Sequence, residues 1–359
     1  MNFLSNSRYV LINLNNRYTH LFFPLFIIGI YFIATVFPYR IITDRTENAN
    51  SQIIEFARLP PGTIVSGLKI MPRQQPSFFS GWINPVQNEI IFYPILKNAI
   101  WNVVSDTLIF DDYNGINRRI YLVNQIVKLD ERIYFFGSDS FGRDVFSRLV
   151  LGTRVSFSIG VFAGLFSLII GLGIGLISGY FGSWTDKICN WFISIIWSFP
   201  SILLAILLSF SFGKGYYQLV FAISLTLWVE LARIVRGQVI ALKESLYIQS
   251  ARVLGFSSLR ILMRHLLPNI VGPVIIITVS NISTAVLLES GLSFLGMGLP
   301  APVPSWGSML FEGYTFLAME QGKWLAFFPA FALSILILNF YWLGGILRDK
   351  LDVKSEYAI

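Results

Sequence analysis

The chain is poor in charge. Only 13% of its 359 residues are Asp, Glu, Lys or Arg, against about 25% in soluble domains. That composition excludes a water-facing globular protein. A single cysteine, Cys189, excludes an internal disulfide. The two histidines, His20 and His265, lie far apart and leave no His/Cys zinc site. No Gly-x-x-x-x-Gly-Lys-Ser/Thr occurs, so the chain carries no P-loop for ATP. The net charge of +7 does not indicate nucleic acid, because the bases sit beside apolar runs. What is abundant is apolar: 54% hydrophobic residues, with 16% aromatic. This is an integral membrane protein in a lipid bilayer.

Residues 1–19 are polar, and the charge-free stretch that follows predicts a first span over 20–39, long enough for about 30 Å of hydrocarbon. An uncleaved span is expected rather than a signal peptide, because the run is long and no small-residue cleavage site follows. Residues 40–152 change character. Both signs of charge appear, with turn signals at Pro60-Pro61-Gly62 and 111–115 and β-rich runs at 89–93 and 119–123. This insert has acids and serines but no His or Cys. Its Trp82, Trp101, Phe78 and Phe79 can contact a partner, form a small core or cover the membrane surface.

Spans two to six are expected within 153–347. Val155–Thr185 lacks charge, and Gly160 and Gly164, then Gly171, Gly175 and Gly179, recur every four residues. In lipid such faces let a second helix approach closely. Asp186-Lys187 reads as a turn, Ile188–Gly213 as a third span with a kink at Pro200, and Gly215–Arg236 as a fourth. In the last, Glu230 and Arg233 are three apart and can pair. Ile270–Gly298 and Trp324–Leu347 are the fifth and sixth, and 348–359 is a charged tail.

Between spans four and five lies YIQSARVLGFSSLRILMRHLLP, Tyr247–Pro268. It is too polar to cross a bilayer and too apolar for a disordered linker. Ala251 and Gly255 are four apart, which predicts one small-residue face on a short helix. Arg252, Arg260, Arg264 and His265 make the stretch basic, and Pro268 marks the next element. A short helix held between spans can dock into a groove on another protein.

These stretches resemble the permease subunits of bacterial ABC importers. Gln249-Ser250-Ala251, Gly255 and Leu266-Leu267-Pro268 are similar to the family's EAA loop, E-A-A-x-x-x-G and a later I-x-L-P, with Gln249 where the family prefers Glu. Ala251-Arg252-Val253-Leu254-Gly255 and Arg264-His265-Leu266-Leu267-Pro268-Asn269 look like the second permease of dipeptide, oligopeptide and nickel importers. Gly137–Ser156 resembles the signature before the second span, matching at Asp139, Gly142, Arg143, Asp144, Ser147, Arg148, Gly152, Arg154 and Ser156. Ser198-Phe199-Pro200 and Pro304-Ser305-Trp306-Gly307 also match. Asn190-Trp191-x-x-Ser194 stands where the family often has Met-Arg-x-x-Asp, so that intramembrane ion pair is missing. The resemblance covers 137–352; residues 40–136 carry no matching motif.

The resemblance implies an all-α polytopic membrane protein of six transmembrane helices, the type I ABC importer permease fold, with a mixed extracytoplasmic insert between helices 1 and 2. It implies no catalytic residues and no cofactor. The 237–268 segment becomes a cytoplasmic coupling loop. Tyr247, Gln249, Ser250, Ala251, Arg252, Gly255, Arg264, His265 and Pro268 would engage one of two ATPase subunits. Gly255 would permit close backbone approach, and Ala251 would leave room on the docking face. A homologous second permease would complete the pore, and an extracytoplasmic substrate-binding protein would deliver cargo, peptide by family likeness. For Asp139, Gly142, Arg143, Asp144, Arg148 and Arg154, a structural network and a gating role both stay open. For Glu289, with Ser290, Phe294 and Pro200, the readings are translocation pathway or gate, or for the acid a buried structural role. The 233–268 segment carries Arg233, Arg236, Lys243, Arg252, Arg260 and Arg264 against Glu244, which predicts that it and both termini are cytoplasmic. Other readings are the same architecture importing nickel or another small solute, a membrane enzyme with its site in 40–148, and an assembly protein that docks through the insert.

Overall fold

The structure is a computed structural model and describes residues 21–72, 91–95, 101–104, 107–111, 114, 116–122, 125–319 and 322–351. The chain divides into two compact units. One comprises residues to 30, 157–298 and from 333 onward, and the other 31–156 and 299–332.

The first unit is helical. Helix α1 is Leu21–Val36, α2 Val145–Phe181, α3 Ser183–Trp197, α4 Ser201–Phe212 and α5 Tyr216–Lys243. A short α6, Leu246–Val253, precedes α7, Ser258–Phe294; α8, Trp306–Tyr314, belongs to the second unit, and α9 is Trp324–Leu351. The expected glycine faces are used, and by two different neighbours. Gly171, Gly175 and Gly179 of α2 meet Trp228, Leu231, Ala232, Val235 and Val239 of α5, while Gly160 and Gly164 meet Val286 and Ile282 of α7. A methyl group added at Gly175 would lie 2.7 Å from the Ala232 carbonyl oxygen. Asn281 Nδ2 of α7 donates to Ser167 Oγ of α2 at 3.4 Å and to the Leu227 carbonyl of α5 at 3.3 Å, joining the three helices. Asn339 Nδ2 of α9 donates to the Pro24 carbonyl of α1 at 3.0 Å.

Four of the helices, α2, α5, α7 and α9, are long and apolar enough to cross a membrane. A fifth crossing is counted if α3 and α4, bent by 93° at Ser198–Pro200, are taken together. The structure thus shows a mostly helical membrane protein with four or five apolar spans among the described residues. The difference from the expected six has a physical source. Each half of the bent pair is short, 15 and 12 residues, and the described part of α1 is 16 residues. The turn expected at Asp186-Lys187 is instead at Gly182, whose φ of +64° suits glycine, and both charged residues lie in α3. The 237–268 stretch is less of a loop than expected. Helix α5 continues to Lys243, and α7 begins ten residues before Pro268, passing through a π-helical turn at Leu262–Leu266. Pro268 lacks the N–H that would bond to Arg264, so a wider turn just ahead of it relieves the ladder.

The second unit contains the insert. Strand β1 (Thr63–Pro72) pairs antiparallel with β2 (Ile91–Pro94) and β6 (Gln125–Tyr134), giving the order β2-β1-β6. Strands β3 (Trp101–Val104), β4 (Thr107–Asp111) and β5 (Asn117–Tyr121) form a second antiparallel sheet. Leu68 and Ile70 of β1 share a core with Leu108 and Phe110 of β4, so this is a small globular core. The period-two alternation of β4, Leu108 and Phe110 inward, produces it. Phe78, Phe79 and Trp82 lie outside the described residues. Asp111, at the end of β4, accepts from Asn117 Nδ2 at 3.1 Å, and Asp112 also lies outside the described residues.

A branched residue at a glycine between α2 and α5 is expected to wedge them apart, costing about 1–3 kcal/mol. Gly175→Val should therefore lose the monodisperse peak of detergent-extracted protein on size exclusion. Gly173→Ala, where an added Cβ meets nothing within 4 Å, should keep it.

Candidate functional site

Helix α6 is the only element between α5 and α7, and its two faces differ. Ile248 and Ala251 point inward, 0% and 5% exposed, into a core with Leu176 and Tyr180 of α2, Val235 and Val239 of α5, and Ile261, Leu266 and Ile270 of α7. Outward stand Leu246, Tyr247, Gln249, Ser250, Arg252, Val253 and Leu254. Val253 is 88% exposed and Leu254 73%, a high price in water for two adjacent apolar side chains. Gln249 Nε2 donates to the Glu244 carbonyl at 3.0 Å, and the Arg252 guanidinium lies 5.1 Å over Tyr180.

The expected Ala251–Gly255 face does not exist, because the helix ends between them. Gly255 has φ +76°; its N–H donates to the Arg252 carbonyl and Phe256 N–H to that of Ala251. This is a Schellman C-cap, whose left-handed residue is glycine for lack of a Cβ. Nothing lies within 4 Å of where a Gly255 Cβ would be. Phe256 then lies between Arg260, 5.2 Å above its ring, and His265, stacked at 5.9 Å. Arg264 and Pro268 are exposed, and Asn269 Nδ2 donates to the His265 carbonyl at 2.6 Å. Phe256, absent from the expected residues, holds this basic turn together.

Asp186 of α3 pairs with Arg236 of α5 through Nε at 2.6 Å and Nη2 at 2.7 Å, with Asn190 Nδ2 adding a bond at 2.9 Å. Arg233, expected to pair with Glu230, lies 3.7 Å over the Trp197 ring instead. Glu289 is wholly buried in α7; Ser293 Oγ donates to its Oε1 at 2.7 Å, and Ser290 Oγ stands 3.4 Å from Oε2. Phe294 ends α7 partly exposed, and Pro200 caps the start of α4.

In the second unit, the signature residues form a buried charge network. Asp139 accepts the N–H groups of Phe141 and Arg143 and pairs with Arg143 Nε at 2.6 Å. Glu312 of α8 closes it, meeting Arg143 Nη2 at 2.8 Å and Arg148 Nη2 at 3.1 Å. The two guanidinium side chains are 5% and 2% exposed and are neutralised by buried Asp139 and by Glu312, which is 35% exposed. Gly142, φ +74°, packs its backbone against Ile53, where a Cβ would collide with the carbonyl. Trp306 is fully buried beside Gly152; its Nε1 donates to the Leu149 carbonyl at 3.0 Å and its N–H to Ser156 Oγ at 3.3 Å. Arg154 is exposed. Glu312 is the residue that sequence reasoning missed. Its only signal was an acid on a short helix among apolar neighbours.

Asp144 is 1% exposed, and its Oδ2 accepts from Thr43 Oγ1, Ser147 Oγ and Ser147 N–H. Its Oδ1 has no hydrogen-bond partner among the described residues. Burial therefore pushes the carboxyl above its ordinary 3.8, outweighing those bonds and the neighbouring Arg132.

Glycine-packed apolar helices, an internally neutralised charge network and a short helix that offers apolar side chains to solvent mark an integral membrane protein. The chain belongs to the family described as binding-protein-dependent transport system inner membrane component, whose model matches residues 171–353. It is 40% identical over 221 residues to the oligopeptide transport system permease protein OppC of Bacillus subtilis, covering 62% of this chain and 72% of that one. It is 39% identical over 223 residues to the dipeptide transport system permease protein DppC of Alkalihalophilus pseudofirmus, covering 62% and 73%. The glutathione transport system permease protein GsiD of Escherichia coli is 36% identical over 258 residues, 72% of this chain and 81% of that one. A solved chain of the methionine ABC transporter MetNI, in an inward-facing conformation, superposes with a TM-score of 0.46 at 18% identity over 56% of this chain and 95% of that one.

Removing Asp139 leaves two buried guanidinium groups with one partner, so Asp139→Ala should destabilise the detergent-solubilised protein by about 3–5 kcal/mol in thermal unfolding. Asp144 binds its proton more tightly folded than unfolded. Its contribution is therefore full below the ordinary carboxylate pKa and is lost as pH rises through its own raised range. The fall in melting temperature between pH 4 and pH 8 should accordingly be smaller in Asp144→Asn than in the wild type.

Proposed function

We propose that this chain is one of the two membrane-spanning subunits of an ATP-driven importer of peptides. The observation that carries this reading is the amphipathic seat of α6. One face is locked into the core of α2, α5 and α7, and the other presents Tyr247, Val253 and Leu254 to a partner. The relatives support the cargo: three transport systems named for oligopeptides, dipeptides and glutathione, all compounds with peptide bonds.

In this reading the chain crosses the membrane six times, with α1 as the first span and the third entered through α4. The termini and α6 face the cytoplasm, in keeping with the bases around α6. Two ATPase subunits supply the energy, and a second homologous permease completes the pore. An extracytoplasmic binding protein brings the peptide to the face that carries the insert. ATP-driven closure of the ATPases displaces α6. Because Ile248 and Ala251 are embedded among α2, α5 and α7, those helices move with it and the pore alternates its opening. Gln249, Ser250 and Arg252 contribute polar contacts to the ATPase. Arg264, His265 and Pro268 shape the turn beside it. Glu289, Ser290, Phe294 and Pro200 belong to the gate in this scheme, Glu289 acting as a buried acid that its serines hold in place.

Val253→Glu/Leu254→Glu tests this without disturbing the core, since both side chains are exposed. The variant should extract and fold like wild type, yet co-purify at least tenfold less ATPase and lose peptide uptake. Undiminished ATPase recovery would remove α6 as the coupling element.

A further inference from the structure

Helix α3 crosses α5 rather than running beside it. Asp186, in its first turn, pairs with Arg236, and Trp197, its last residue, lies under Arg233. Those eleven residues advance about 16 Å along α3, while their partners on α5 are only about 4.5 Å apart along that helix. The crossing is therefore steep. Helix α4 then leaves α3 at 93° and packs on α5. The crossing lies at the level where α5 turns from apolar to basic, at Arg233, Arg236 and Lys243. A helix lying across a span at that level lies in the plane of the membrane, at its boundary with water.

The faces of α3 agree with this placement. Asp186, Asn190 and Ile193 turn toward α5, Ile193 being buried with Trp228, Val229 and Ala232. Trp184, Ile188, Trp191 and Phe192 turn away, 74%, 51%, 61% and 52% exposed. Lys187 Nζ lies 5.6 Å over the Trp184 ring. Arg236 neutralises Asp186, so Lys187 gives this outer face a positive charge, complementary to anionic headgroups. Indole rings with a lysine are the side chains favoured where hydrocarbon meets headgroup.

We propose that α3 is an in-plane helix seated in the headgroup layer on the α6 side of the bilayer. Trp184, Lys187 and Trp191 lie against lipid, and α4, bent away from α3 by 93°, is the part of the pair that enters the hydrocarbon. Two sites seven residues apart on α3 differ in depth by about 10 Å if the helix spans the membrane, and by little if it lies in plane.

The test uses the assembled importer in nanodiscs containing anionic lipid. Nitroxides are placed at Trp184→Cys and at Trp191→Cys on a Cys189→Ser background, and their depth is read from collisions with oxygen and with a water-soluble nickel chelate. Ile188→Cys and Ile195→Cys, also seven apart and exposed, form a second pair should the tryptophan variants fail to assemble. Equal, shallow depths within a pair support the proposal. A depth difference near 10 Å overturns it in favour of a spanning helix. Nitroxides reached by neither collider also overturn it, because another protein chain then covers this face.

Discussion

Close approach of backbones at glycine is the constraint from which the helical unit follows. Lipid gives apolar side chains no reason to leave it, so helices associate only if packing between them is tighter than packing with lipid. Helix α2 achieves this twice on one length of helix. Gly160 and Gly164 receive α7, and Gly171, Gly175 and Gly179 receive α5. Those contacts fix where the inner ends of α5 and α7 emerge, and thus how far apart the ends of α6 are held. Asn281, bonded to both α2 and α5, adds a directional contact that apolar packing cannot supply.

The same economy governs charge. Among the described residues the buried cations Arg143 and Arg148 meet Asp139 and Glu312 in one unit, and the half-buried Arg236 meets Asp186 in the other. Such pairs offset the cost of leaving water more than they add stability, but they are unforgiving of a lost partner. They suit a protein that must hold a particular arrangement of helices. The side chains left exposed are of another kind: Val253 and Leu254 on α6, Trp184 and Trp191 on α3. These are apolar surfaces that call for a covering.

The glycine faces and the break at Pro200 were legible in the residues, because both depend on local spacing or on proline chemistry alone. The ends of α5 and α7 were not. Lys243, Arg260 and Arg264 read as loop when counted as polar, although lysine and arginine are good helix formers. The shared face of Ala251 and Gly255 assumed a helix that continues past Leu254, whereas the glycine itself ends it. Glu230 and Arg233 satisfy a spacing rule, but Arg233 finds an aromatic ring on another helix. Glu312 lies 169 residues from Arg143, and no local pattern can register a partnership at that distance. The β-rich runs of the insert foretold strands β2 and β5, while their division between two sheets depends on pairings far apart in the chain.

The seat of α6 bears on how such proteins can be recombined. Ile248 and Ala251 take their shape from Leu176 and Tyr180 on one side and from Val235, Val239, Ile261 and Ile270 on the other. The helix is therefore not a detachable plug whose sequence alone determines what it grips. Its orientation is inherited in part from side chains about seventy residues upstream. Under the proposed coupling role, a change of ATPase partner in a lineage must either leave Ile248 and Ala251 untouched and vary only the outward residues, or carry the packed parts of α2, α5 and α7 along with it. The smallest transferable part is a three-helix socket, and the short helix is its rim.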